Sequence, residues 1–230
     1  MSRPDPHPVR WLPFTLAFLA VMLVANGLAG TFSGEIDPAV LSARGIGLEA
    51  LRGGDVTRFV SAIFLSHDLP MLLRQLVFAA VVIGVAEWMW GGWRTAGLFF
   101  GLDLTATLAL LAAVSLIPAF AGQADVTDVG MSMGGFGMIG ALLGATRWGL
   151  AGVGVVFALI AAKYALAPET LADTGHAIAL AIGFLIGSYG AKARFLAPIT
   201  VGTRQGRAPA GNAGWQSDGA MSAGQRDGER

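Results

Sequence analysis

Six apolar runs divide the chain, at roughly 11–30, 71–90, 96–118, 129–146, 148–167 and 174–191. A helix rises 1.5 Å per residue, so about 20 residues cover the ~30 Å of bilayer hydrocarbon. Outer-membrane barrels instead repeat alternating segments of about ten residues, a pattern foreign to this sequence. The runs predict an all-α membrane protein with six transmembrane helices. The first run follows Arg10 and ends in small residues, as a cleaved signal peptide would. Its length of about twenty apolar positions favours a retained helix.

Residues 1–10 form a short polar lead, 11–198 the membrane domain, and 199–230 a polar, Gly-rich stretch expected to be a disordered cytoplasmic tail. The longest internal connection, 31–70, is no ordinary hydrophilic loop. Its stretch "TRFVSAIFLSHDLP" is apolar yet too short to span, so it is expected to lie in the outer interface or dip back inward. Connections of this length usually carry function. The sequence shows no internal repeat, which weighs against the transporters built from inverted repeats.

Composition agrees with a bilayer protein: of 230 residues, 54% are hydrophobic and 13% charged, against about 25% charged in a soluble domain. The net charge is zero, so no nucleic-acid partner is expected. The charges are lopsided, however. Six spans put both termini on one side, together with Arg3, Arg10, Arg94, Arg147, Lys192, Arg194, Arg204, Arg207, Arg226 and Arg230. The other side carries Arg44, Arg52 and Arg58, while Arg74 and Lys163 fall within spans. The positive-inside rule then assigns both termini to the cytoplasm of a plasma membrane. The outer loops hold acids, among them Asp68, Asp125, Asp128, Glu169 and Asp173. Absence of cysteine excludes disulfides, thiolate catalysis and Cys-based metal sites. The preference for Arg over Lys, with abundant Gly and Ala, points to a GC-rich bacterium.

Small residues organise the last helices. In the fourth run Gly137, Gly140 and Gly144 form one stripe with Ala141 beside it; in the sixth, Ala179, Gly183 and Gly187 recur every fourth residue. Such faces let transmembrane backbones approach closely. His176 precedes Ala179 by three positions on the same face, so it should face the fourth helix. Ser132 follows Asp128 by four residues and His176 follows Asp173 by three, putting both roughly 5–6 Å below the outer acids. A hydroxyl and an imidazole at one depth suffice for acyl transfer. A bland reading stands beside it: serine is a common packing residue in membrane helices, and the histidine could do no more than bridge two helices, although intramembrane histidines are rare and usually functional. The literal G-x-S-x-G of Gly130, Ser132 and Gly134 is not the nucleophile elbow of an α/β-hydrolase, because that motif needs a strand–turn–helix.

These residues resemble the rhomboid intramembrane serine proteases. That family carries a G-x-S-G-x-x-x-G-x-x-G-A type motif opening the fourth helix, and "GMSMGGFGMIGA" matches at Gly130, Ser132, Phe136, Gly137, Gly140 and Ala141. "HAIALAIGFLIG" matches the sixth-helix pattern at His176, Ala179, Gly183 and Gly187. Upstream, Arg58, Phe64 and Leu65 fit the first-loop pattern W-R-x-x-T-x-x-F-L-H, and Glu87, Gly91 or Gly92, and Arg94 fit E-x-x-x-G-x-x-R. The resemblance covers roughly 10–195 and implies a six-helix rhomboid-like bundle. Ser132 would be the nucleophile and His176 the general base, with no cofactor or metal. The substrates or clients would be transmembrane proteins in the lipid bilayer.

The departures are specific. The His and Asn that build the family's oxyanion hole are Met71 and Gln75 here; the Gly after the nucleophile is Met133, with glycine displaced to Gly134; the loop Trp is Thr57. The resemblance leaves Gln75 and the backbone around Gly130, Met133 and Gly134 as oxyanion support. One such donor contributes about 3–4 kcal/mol where measured, so loss of one would slow chemistry about 10²–10³-fold. A weakly active or inactive client-binding relative is therefore the first alternative. The second is a small transporter using Asp103, Lys163 and His176 as a polar path. Among the other polar residues, Asp173 is expected in outer water or orienting His176, Asp103 near Glu87 or Arg94, and Lys163 snorkelling outward. His67 and Asp68 read as interfacial loop residues, and Trp88, Trp90, Trp93 and Trp148 as an inner aromatic belt.

Overall fold

Proline and aspartate set where the helices begin. In the computed structural model, which describes residues 11–193, 195 and 196, Pro13 opens α1 (Pro13–Leu28), where a missing N–H costs nothing. Asp37 caps α2 (Pro38–Arg44) by accepting the Ala39 amide at 2.7 Å. Two short helices follow, α3 (Leu48–Arg52) and α4 (Arg58–Ser61). Asp68 caps α5 (Leu69–Trp90) through the Met71 amide at 2.6 Å. Gly91 alone turns the chain into α6 (Gly92–Leu116); its φ of 82° suits glycine. The remaining helices are α7 (Ser132–Gly144), α8 (Gly149–Leu166) and α9 (Thr170–Lys192). The polar lead at 1–10 and the tail at 199–230 lie outside the described residues, as do Arg3, Arg10, Arg194 and the charges beyond them.

Four helices, α5, α6, α8 and α9, are long and apolar enough to cross a membrane; α1 and α7 are apolar but shorter. The chain is thus an all-helical membrane protein with four candidate spans among the described residues. Outward-facing Val77, Val81, Val85, Leu104, Leu150, Val155 and Leu159 are exposed, an apolar surface too extensive for water.

The 13-residue α7 is the centre of the bundle. It is about 20 Å long, and glycines let it be surrounded on three sides. A Cβ on Gly134 or Gly137 would press into Phe99 or Leu102 of α6, at 2.7 and 2.9 Å, and one on Gly135 into Phe78 of α5. On the third side Gly140 and Gly144 meet the backbone of α9, whose own Gly183 and Gly187 rest on the carbonyls of Gly137 and Ala141. The single stripe expected from sequence is therefore two: Gly140 and Gly144 face α9, whereas the α-carbon of Gly137 faces α6 and only its carbonyl serves α9. Helix α8 is peripheral, with Gly149 and Val153 its buried residues.

The 31–70 connection neither floats nor spans. Ala62, Ile63, Leu65 and Ser66 are buried in the bundle. The Gly130 amide donates to Ala62 O at 2.8 Å, and Ile46 and Asp128 exchange backbone hydrogen bonds at 2.9 Å. This ties the loop to the segment leading into α7. Arg58 holds the loop from within, through Asp55 at 2.9 Å and Ser42 O at 2.7 Å. The aromatic belt loses one member: Trp90 is 1% exposed and donates Nε1–H to Leu196 O at 3.0 Å, while Trp88, Trp93 and Trp148 face outward.

Candidate active site

Helix α7 starts three residues later than the hydropathy indicates, because 129–131 are held in irregular backbone by the loop. The start therefore falls on Ser132 itself. Directly across the glycine interface lies His176, and its Nε2 is 2.9 Å from Ser132 Oγ. A hydroxyl at the first turn of a helix lies beside the N–H groups that no preceding carbonyl can accept. Here Gly134 N–H donates to the buried Asp103 carboxylate at 2.9 Å, and the Ser132 and Met133 N–H groups have no acceptor among the described residues. Gly134 is thus no free donor, and Asp103 pairs with neither Glu87 nor Arg94.

Glu87 performs a parallel task at the other end of the bundle. Its carboxylate accepts the Phe14 and Thr15 amides at 2.9 and 2.7 Å and the Thr15 hydroxyl at 2.7 Å. Each of these buried acids accepts from first-turn amides of a helix other than its own, groups that no preceding carbonyl can satisfy.

A cavity of about 640 Å³ opens over the pair, lined among others by His67, Met71, Gln75, Phe78, Ser132 and His176. The His176 ring stacks on Phe136, with centroids 4.2 Å apart and planes 18° from parallel. Gln75 is 6% exposed and accepts the Ser66 hydroxyl through Oε1 at 2.8 Å. Its Nε2 lies against the α-carbon of Gly130, so close that a Cβ would overlap it. Gly130 also has φ of 131°, so two constraints require glycine there. Met71 lines the same wall and offers only its sulfur, 3.4 Å from His67 N. Met133 turns away and fills the space that the missing side chain of Gly175 leaves on α9.

Asp173 is neither in outer water nor on His176. It is buried, accepts the Glu169 amide at 3.0 Å, and pairs with Lys163 Nζ at 3.0 Å. Lys163 also meets Glu169 at 2.8 Å, so its ammonium is shared by two acids at the start of α9. Asp103, Lys163 and His176 accordingly have separate partners and do not hydrogen-bond one another. His67 is more than a loop residue: its Nε2 sits 3.1 Å from Asp128 at the cavity rim. The Asp128 carboxylate holds its imidazole above the ordinary histidine value, with Asp68 and Glu169 adding to the field. Met71 and Gln75 lie one helical turn apart on α5, whereas His67 precedes the Asp68 cap and no helical spacing pointed to it. Phe136 belongs to the matched fourth-helix motif, which does not disclose its stacking role, and Ser66 carried no signal.

No model of a known protein family and no curated protein matches the chain.

Proposed function

We propose that this protein is a rhomboid-like intramembrane serine endopeptidase, with Ser132 as nucleophile and His176 as general base and then acid. The observation that carries the reading is the 2.9 Å contact between Ser132 Oγ and His176 Nε2 at the floor of a cavity large enough for a peptide segment. In this mechanism Nε2 takes the hydroxyl proton as Oγ attacks a substrate carbonyl, so the resting ring carries its proton on Nδ1. The tetrahedral oxyanion is met by the N–H groups of Ser132 and Met133 and by Gln75 Nε2. His176 then protonates the leaving amine, and water admitted through the cavity hydrolyses the acyl-enzyme. Among the described residues the dyad has no third member: Asp173 is engaged by Lys163, and Phe136 orients the imidazole by stacking.

We infer further that α1 and α7 complete a six-helix bundle in a bacterial plasma membrane, with both termini cytoplasmic and the cavity facing outward. Arg94, Arg147 and Lys192 then stand on the cytoplasmic side. The substrates are transmembrane segments of other proteins, reached near the outer leaflet. The test is labelling of the purified protein with a fluorophosphonate, alongside cleavage of a transmembrane reporter. Wild type should label and cleave, and Ser132→Ala should do neither. Equal behaviour of the two proteins across several reporters refutes proteolysis and leaves client binding as the role of the fold.

A further inference from the structure

We propose that Asn26 and Ser66 are positioning residues that aim the Gln75 amide at the oxyanion; the inference rests on the acyl-transfer reading above. Asn26, near the end of α1, is fully buried. Its side chain can sit only one way, because every partner is a backbone group of fixed polarity. Nδ2 donates to Met22 O at 2.9 Å and to Phe64 O at 2.8 Å, while Oδ1 accepts the Ser66 amide at 2.9 Å. Both amide protons and the carbonyl oxygen are therefore engaged. This clamps the loop at Phe64 and Ser66, two residues before the Asp68 cap of α5.

The clamp fixes Ser66, itself fully buried, so that its hydroxyl reaches Gln75 Oε1 at 2.8 Å. An amide held by its oxygen presents its nitrogen in the opposite direction. Here Nε2 lies against Gly130, two residues from the nucleophile, and has no acceptor among the described residues. Gln75 lines the cavity over Ser132, and its nitrogen is not a buried orphan, since Thr95 Oγ1 alone holds that place among the described residues. The free donor is therefore offered to an oxygen that enters the cavity. Asn26, Ser66 and Gln75 thus form a chain from α1 through the loop to the reaction centre. A longer amide is thereby kept in the one orientation that donates.

The experiment compares kcat and KM for cleavage of a transmembrane reporter by the full chain in proteoliposomes. Ser66→Ala should lower kcat about tenfold to a hundredfold with KM unchanged, a loss no larger than removal of one oxyanion donor. Ser66→Thr, which keeps the hydroxyl, should recover most of it. In a Gln75→Ala background Ser66→Ala should have no further effect, because the group it aims is gone. Wild-type kcat in Ser66→Ala, or the same fold-loss with and without Gln75, overturns the inference while leaving the protease intact. Should Ser66→Ala fail to fold, Ser66→Cys keeps the volume with a weaker donor; it should lose part of kcat, and wild-type kcat in it likewise overturns the inference. Equal cleavage by wild type and Ser132→Ala overturns both readings together.

Discussion

Replacing Gly183 by alanine adds one methyl group at the tightest point of the bundle. Its Cβ would overlap the Gly137 carbonyl oxygen, with the carbonyl carbon at 2.7 Å and the α-carbon at 3.0 Å. All three atoms are backbone, so no rotamer change relieves the contact, and α7 and α9 must separate. Overpacking of this kind costs about 1–3 kcal/mol, partly offset by the roughly 1 kcal/mol by which alanine favours a helix over glycine. For a chain of this size each kcal/mol moves the midpoint about 2–4 °C, so Gly183→Ala should unfold several degrees below wild type. The control is Gly154→Ala on α8, where nothing lies within 4 Å of the added Cβ; that variant should be neutral or stabilised. A second readout follows from geometry. His176 lies seven residues before Gly183, two turns up the same face. A separation of about 1 Å would stretch the 2.9 Å contact with Ser132 past hydrogen-bonding range. Fluorophosphonate labelling should therefore fall in Gly183→Ala and stay unchanged in Gly154→Ala. A Gly183→Ala protein as stable and as readily labelled as the Gly154 variant refutes the close-packing argument.

Asp103→Ala leaves the Gly134 amide without an acceptor and should cost about 1–3 kcal/mol, whereas Asp103→Asn keeps one. Equal midpoints for the two variants would remove Asp103 from its capping role. Gln75→Ala should reduce reporter cleavage roughly ten- to a thousandfold, measured as kcat; unchanged kcat would mean that backbone amides alone hold the oxyanion. The His67–Asp128 contact should strengthen as the imidazole gains its proton. Because the folded value is raised, its contribution is complete below the ordinary histidine range and is lost as pH climbs through the raised value. Both side chains are about two-fifths exposed, so the effect is at most about 1 kcal/mol. The midpoint difference between wild type and His67→Gln should shrink with rising pH, and growth of that difference would contradict the assignment.

Hydropathy located every long helix, and the errors fall where backbone rather than side chain decides. Trp93, Arg94 and Thr95 lowered the local hydropathy and delayed the expected start of α6, yet one glycine suffices to turn the chain at Gly91. Val129 and Met131 are as apolar and buried as any helical residue, so nothing in their character told that the loop holds them out of α7. The meeting of Ser132 with His176 was legible from two small-residue faces at one end of the chain's last helices. The partner of Asp103 was not, because a backbone amide looks the same at every position of a sequence. For the same reason Ser66 and Asn26 gave no warning of their connection to Gln75. Trp90 was grouped with its exposed neighbours because an indole that anchors at an interface and one that donates to a buried carbonyl share the same composition.

The brevity of α7 bears on biogenesis. At about 20 Å it falls short of the hydrocarbon by a third, and glycine occupies so much of its surface that little is gained by placing it among lipid tails. In the irregular backbone that precedes it, the Asp128 and Gly130 amides find their acceptors on Ile46 and Ala62, groups of a loop synthesised long before. Released into the bilayer by itself, α7 would leave those amides unsatisfied in hydrocarbon. On the six-helix reading proposed above, α7 should be held back until α9, whose glycines pack against it, has emerged. Shortening the chain before Thr170 would do more than remove His176. It would strand a helix that has no stable residence in lipid, and the defect would register as degradation of the whole protein rather than as a folded, inactive form.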